Sequence, residues 1–133
     1  SGTSSVVAFP FKKDGAFVKE ATIAPATRGS GSVWDIAFSR DAGQKYLYVA
    51  DGANDKVHII DRESLKELTA FGDGGRQPGL FYAVDGVATD SKGNLYTIET
   101  FEGKRLQRFN YKGIAAVTKA SQGALWPSTG AKK

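Results

Sequence analysis

A pattern of short apolar strands occurs twice in this 133-residue chain, and this internal repeat constrains the fold more than any other feature. The two copies run through residues 31–38, 45–51 and 56–61, and then through residues 82–90, 93–99 and 105–110. Tyr48 and Tyr96 occupy matching places 48 positions apart, and Asp35 and Asp85 match at 50 positions. A period of about 40–50 residues made of short strands is typical of β-propeller blades. The repeat therefore predicts an all-β chain built of four-stranded antiparallel propeller blades.

The repeat also divides the chain into predicted parts. They are the outer half of a first blade (1–28), a second blade (29–72), a third blade (73–120) and a C-terminal tail (121–133). Strands are expected at 6–9 and 16–20 around a turn at 12–15, then at 33–39, 46–50, 56–61 and 67–71, and finally at 83–89, 94–99, 105–111 and 114–119. A propeller needs four to eight blades, and an uncovered blade exposes an apolar face and strand edges. We therefore expect a partial propeller, completed by the remaining blades of a longer chain or by self-association.

Composition excludes several kinds of chemistry. Cysteine is absent, which excludes disulfides and cysteine-based zinc or nucleophile sites. One histidine is too few for a His-based zinc centre, and no Gly-x-Ser-x-Gly nucleophile elbow occurs. The net charge of +4 is spread along the chain, which argues against nucleic-acid binding. No apolar run approaches the length of a membrane span, and the absence of methionine predicts a processed protein or a piece of a longer one.

The repeat carries the marks of one known type of blade. A Phe71-Gly72 link ends at Gly79-Leu80-Phe81, and Gly86-Val87-Ala88-Thr89-Asp90 and Gly93-Asn94-Leu95-Tyr96-Thr97 follow. In the first copy the closing segment is Asp51, Asn54, Lys56, Val57, Ile60 and Asp61. Residues 29–113 thus resemble NHL repeats, blades found in bacterial secreted proteins and in some animal RNA-binding proteins, with residues 5–20 as a partial repeat. The resemblance implies a ring of six blades and a secreted or periplasmic location.

Six residues at the turns are predicted to be structural. In the second copy Glu99 stands in the place of the aspartate, Glu102 lies near the place of the asparagine, and one residue is inserted before Arg105. Acidic and amide side chains at such turns bond nearby backbone N–H groups. The basic side chain is expected to lie across the turn and pair with the acid. The turn residues are Asp51, Asn54, Lys56, Glu99, Glu102 and Arg105.

A candidate binding site is predicted at the start of the inner strands. Asp35 and Asp85 are expected at equivalent places facing the propeller channel, where carboxylates from several blades could hold a hard cation such as calcium. Trp34 is next to Asp35 and could stack on a ligand. The alternatives are that the aspartates cap turns or bond channel water, and that Trp34 packs in the interior.

Three functional classes follow from these observations. The favoured one is a non-catalytic binding or scaffold module for a protein or a small ligand, with no catalytic residue. The second is a fragment of a metal-dependent six-bladed enzyme, similar to lactonases or to the peptidyl-hydroxyglycine amidating lyase, whose sites draw ligands from several blades. The third is an RNA-binding propeller, which a steep salt dependence of binding would support.

Overall fold

The computed structural model describes residues 6–8, 14–18, 21–23 and 33–116, and these ranges contain nine β-strands and no helix. The strands form antiparallel sheets of two, four and three strands. The chain is therefore all-β, as the repeat predicts. Within the same ranges, no helix has the length and apolar character needed to cross a membrane.

The first repeat folds into a four-stranded sheet, here called sheet I. Its strands, in spatial order, are β3 (Val33–Phe38), β4 (Tyr46–Asp51), β5 (Lys56–Asp61) and β6 (Glu67–Phe71). The strands are rich in β-branched and aromatic residues, which favour a pleated and half-buried surface. Their bounds agree with the prediction to within one residue.

The second repeat forms a three-stranded sheet, here called sheet II, with strands β7 (Val84–Thr89), β8 (Leu95–Glu99) and β9 (Leu106–Phe109). A fourth strand was expected at 114–119, but residues 114–116 are not in a strand, and residues 117–119 lie outside the described part. In sheet I the turn between the third and fourth strands is closed by the Asp61 carboxylate, which accepts hydrogen bonds from the Ser64 amide and hydroxyl at 2.8 and 2.6 Å. The residues at these places in the second repeat are Asn110 and Gly113, which cannot make that pair of bonds.

A separate pair of short strands precedes sheet I. Strand β1 (Val6–Ala8) pairs with β2 (Ala21–Ile23). The predicted turn is present at Gly15, which has a φ of 81° and follows Asp14, whose Oδ1 accepts the Ala16 amide at 3.0 Å. Of the strand expected at 16–20, residues 16–18 are not in a named strand and residues 19–20 lie outside the described residues, and the strand that pairs with β1 is β2. The predicted tail, residues 121–133, lies outside the described residues.

Sheets I and II pack face to face, and this packing forms the main core. The core includes Ala50 and Val57 of sheet I and Phe81, Val84, Val87 and Leu95 of the following segment, all buried. The rings of Phe71, Phe81 and Phe109 meet there with centroids 5.0–6.0 Å apart. A second cluster of Leu47, Val49, Ile60 and Leu65 occupies the other face of sheet I. Because side chains alternate between the two faces along each strand, both faces of sheet I carry apolar residues, as expected of a stacked repeat unit.

The glycine-rich link between the sheets is shaped by its contact with Phe81. Gly72 has a φ of 91°, and a Cβ added there would lie 2.3 Å from the Phe81 ring. Both the left-handed backbone and the close approach require glycine. The link therefore passes directly over the core, and a parallel bridge between Gly74 and Phe81 fixes its course.

Candidate functional site

The predicted equivalence of Asp35 and Asp85 is wrong by one residue. Val33 pairs with Asp51 and Val84 pairs with Glu99, so these two valines correspond in the two sheets. A bulge follows each valine, at Trp34 in sheet I and at Asp85 in sheet II. Asp85 therefore corresponds to Trp34, and Asp35 corresponds to Gly86. Residues of β3 correspond to residues of β7 that lie 51 positions later, whereas residues of β4 correspond to residues of β8 that lie 48 positions later. No single offset therefore aligns the two repeats.

The Asp35 carboxylate forms a tie between the two sheets. Its Oδ1 accepts the Ile36 amide at 2.8 Å, and its Oδ2 accepts the Val87 amide of β7 at 2.9 Å. A second tie lies nearby, where the Thr89 hydroxyl donates to the Phe38 carbonyl at 2.9 Å. Both oxygens of Asp35 thus have backbone donors. Asp35 therefore has a structural role between two strands, which differs from the expected alternative of a turn cap.

The other two predicted site residues lie apart from this tie. Asp85 is exposed on its bulge. Trp34 is half-buried, and its ring covers Gly52, where an added Cβ would be 2.2 Å away. Among the described residues, no group of three or more His, Cys, Asp or Glu side chains is arranged to hold a metal ion. The calcium interpretation therefore gains no geometric support from this part of the chain, and ligand binding by these residues stays a prediction.

The predicted turn residues other than Glu102 make hydrogen bonds at or beside the turns, and the expected pairing of a basic side chain with the acid is present for Arg105 and Glu99. Asp51 is fully buried, and its Oδ1 accepts the Asn54 amide at 3.0 Å. In sheet II the Arg105 guanidinium contacts Glu99 Oε1 at 2.6 Å. Arg105 also donates to the Leu80 carbonyl at 2.7 Å, and Lys56 Nζ donates to the Gly72 carbonyl at 3.1 Å. Each basic side chain thus fastens its turn to the inter-sheet link. Glu102 is exposed and does not belong to this network.

His58 joins the turn network, a role that the sequence did not reveal. The ring is buried, with Nε2 2.9 Å from Asp51 Oδ2 and Nδ1 3.1 Å from Glu67 Oε2. Burial disfavours the charged ring, but the hydrogen bond to Asp51 and the charges of Glu67 and Asp51 outweigh it and raise the pKa of His58. Gln107 takes the same place in sheet II and donates to Glu99 Oε1 at 3.0 Å. In both repeats a polar residue at the same position of the third strand, His58 or Gln107, bonds the acid of the turn. This matching polar position is the signal in the sequence that could have identified His58.

A cleft opens at the opposite ends of the strands, and the predicted site residues do not line it. Its volume is about 480 Å³. Tyr46 and Tyr48 of β4, Tyr111 after β9, and the aliphatic side chains of Ile59, Leu68 and Ile114 form much of the wall. The Tyr111 amide donates to Asn94 Oδ1 at 3.0 Å, which holds this segment beside the turn at Gly93. The remaining lining residues are Ser39, Arg40, Asp41, Thr69, Ser91, Lys92, Gly93, Gly113 and Ala115.

The charged groups at the cleft differ in how they are satisfied. The Asp41 carboxylate accepts the Ser39 hydroxyl and the Lys45 amide, and these hydrogen bonds lower the pKa of Asp41. The side chains of Arg40 and Lys92 are exposed, and neither makes a hydrogen bond or ion pair to any residue that the structure describes. Burial, with smaller contributions from charges nearby, raises the pKa of Tyr48, so its phenol is neutral at physiological pH. The cleft is therefore aromatic and apolar, and its lining holds the charged Asp41 and two cationic side chains without a described ion-pair partner.

One apolar face of sheet II is uncovered. Ile98 and Leu106 are 48% and 64% exposed. The corresponding residues of sheet I, Ala50 and Val57, are buried under sheet II. The face of sheet II that repeats the covered face of sheet I thus exposes Ile98 and Leu106, and no other described sheet packs on it.

Neither models of known protein families nor curated protein sequences match this chain. The resemblance to NHL repeats accordingly stays a prediction from the residue pattern.

Proposed function

We propose that this chain is a non-catalytic binding module, built of NHL-type propeller blades, that holds a small ligand in the cleft between sheets I and II. The observation that carries the proposal is the cleft itself. Its volume of about 480 Å³ and its three tyrosines match the usual ligand pocket, which measures about 300–1,000 Å³ and is mostly apolar and aromatic with a few polar groups.

The state of His58 supports a role without catalysis. A general base needs an available lone pair within reach of the proton that it removes. Both ring nitrogens of His58 face carboxylate oxygens, at 2.9 and 3.1 Å, and the residue does not line the cleft. The only histidine of the chain is therefore engaged in holding the strands together.

The scaffold part of the proposal concerns the open face of sheet II. Because sheet II itself covers the same face of sheet I, we expect the face around Ile98 and Leu106 to accept another blade of this pattern, supplied by a second copy or by a longer chain. A secreted or periplasmic location, which rests on the resemblance to NHL repeats, completes the proposal.

Two exposed leucines allow the cleft and the open face to be tested against each other. Leu68 lines the cleft and is 47% exposed, whereas Leu106 lies on the open face. A fragment library is screened by ligand-observed NMR against the unmodified chain, Leu68→Asp and Leu106→Asp. We expect aromatic fragments to bind the unmodified chain and Leu106→Asp, and binding to Leu68→Asp to be lost. An absence of fragment binding, or equal loss in both variants, would contradict the cleft as the ligand site.

A further inference from the structure

We infer that the ligand of the cleft is a small organic anion with a planar apolar body and an acidic head group. The inference rests on the proposed function and adds the chemical class of the ligand. It is drawn from the charges at the mouth of the cleft and from the character of its wall.

The acidic groups near the cleft are already occupied. Asp41 accepts from the Ser39 hydroxyl and the Lys45 amide. Asp90, which precedes the lining turn, accepts the Lys92 and Asn94 amides at 2.9 Å and the Tyr96 hydroxyl at 3.1 Å. These neutral donors occupy acceptor positions of both carboxylates. The carboxylates stay charged, but they have few positions left for direct hydrogen bonds to a cationic head group.

The basic groups at the cleft are not occupied in this way. Arg40 and Lys92 line it, and no described residue accepts a hydrogen bond from either side chain. A guanidinium and an ammonium beside an apolar wall complement a carboxylate, sulfonate or phosphate group. The head group of the ligand is therefore expected to lie between Arg40 and Lys92.

The wall of the cleft specifies the body of the ligand. Three tyrosine rings and the side chains of Ile59, Leu68 and Ile114 offer flat apolar surface, which favours stacking of a planar group. Tyrosine rings also attract cations, and Lys45 already lies over one of the three, Tyr46, at 5.5 Å.

The test compares three probes that share one ring system. Naphthoate, naphthamide and a naphthyl trimethylammonium ion are titrated calorimetrically into the full chain at low salt. Two exposed charge pairs contribute about 0.5 kcal/mol each, so naphthoate is expected to bind about fivefold more tightly than naphthamide. The advantage should shrink between about 20 and 200 mM salt, because the screening length shortens over this range.

Matched variants locate the charge effect. In the double variant Arg40→Gln/Lys92→Gln, naphthoate should fall to the affinity of naphthamide, whereas naphthamide binding should not change. The control Lys66→Gln/Lys104→Gln removes the same charge from exposed residues outside the cleft and should keep the preference for naphthoate.

The possible results separate the inference from the function on which it rests. Equal binding of naphthoate and naphthamide, or tighter binding of the ammonium probe, would overturn the anionic class and leave the cleft as a ligand site. Loss of the preference in both double variants would overturn the roles of Arg40 and Lys92. If no probe binds the full chain, both the inference and the proposed function fail.

Discussion

Replacement of His58 by leucine is expected to lower the free energy of unfolding by about 3 kcal/mol, because it leaves a buried charge without its partner. The Asp51 side chain is 1% exposed, and His58 Nε2 lies 2.9 Å from its Oδ2. Removal of one partner of a buried ion pair costs about 3–5 kcal/mol. Asn54 still donates to the Asp51 carboxylate at 2.9 and 3.0 Å, so the lower end of that range applies.

His58→Gln is the matched variant, because the chain already uses glutamine at this place in sheet II. Gln107 donates to Glu99 Oε1 at 3.0 Å in a position that corresponds to His58. Glutamine at position 58 should therefore keep one hydrogen bond to Asp51 and lose the charge, at a cost of about 1–2 kcal/mol.

The pH dependence separates a charged ring from a merely well-packed one. The folded pKa of His58 is raised above its ordinary value, which is about 6.5. The stabilisation by His58 is therefore complete below the unfolded pKa and is lost as the pH rises through the folded pKa. Both variants should lack this loss. Urea unfolding followed by tryptophan fluorescence at about pH 5.5 and pH 8.5 measures it. A neutral effect of leucine, or the same pH dependence in all three proteins, would refute the reasoning.

Three further predictions concern the contacts that hold the sheets together. Gly72→Ala should lower the free energy of unfolding by about 3 kcal/mol, because of the left-handed backbone and the collision with Phe81. Gly15→Ala, which has open space around its Cβ position, should lower it by about 1 kcal/mol. Equal losses in denaturant unfolding would contradict the close approach at Gly72. Asp35→Asn should speed hydrogen exchange at the Val87 amide and cost about 1 kcal/mol, since the two backbone amides bond different oxygens of Asp35 and asparagine replaces one oxygen with an NH2 donor; unchanged exchange would exclude the tie. Leu106→Asp should reduce any concentration-dependent association in light scattering, while Leu68→Asp should not; equal effects would reject the open face as an assembly surface.

Much of the fold follows from local pattern, and the alignment of the repeats does not. The four strands of sheet I begin and end within one residue of their expected places, because alternating apolar residues and turn formers mark them directly. The bulges at Trp34 and Asp85 insert a residue without a visible sequence mark. Counting along the chain therefore aligns Asp35 with Asp85, whereas the strand registers align it with Gly86.

The candidate cleft could not be found from sequence because it depends on how the sheets pack. The sequence places Tyr46 and Tyr48 within the strand expected at 46–50, with Tyr48 as a match to Tyr96, and Tyr111 at the end of the strand expected at 105–111. Their approach follows from the stacking of sheet II on sheet I and from the bond between the Tyr111 amide and Asn94. The turn residues, in contrast, were predictable, since Asp51 bonds Asn54 three residues away and Arg105 bonds Glu99 six residues away.

The most direct test of the ligand cleft is NMR of the chain with isotope-labelled tyrosine rings, during titration with naphthoate. The chain has five tyrosines, and Tyr46, Tyr48 and Tyr111 line the cleft, whereas Tyr82 and Tyr96 do not. Binding in the cleft predicts saturable shifts of the three lining rings and unchanged signals from the other two. Shifts centred on Tyr82 or Tyr96, equal shifts of all five, or no shift at all would contradict the cleft as the binding site.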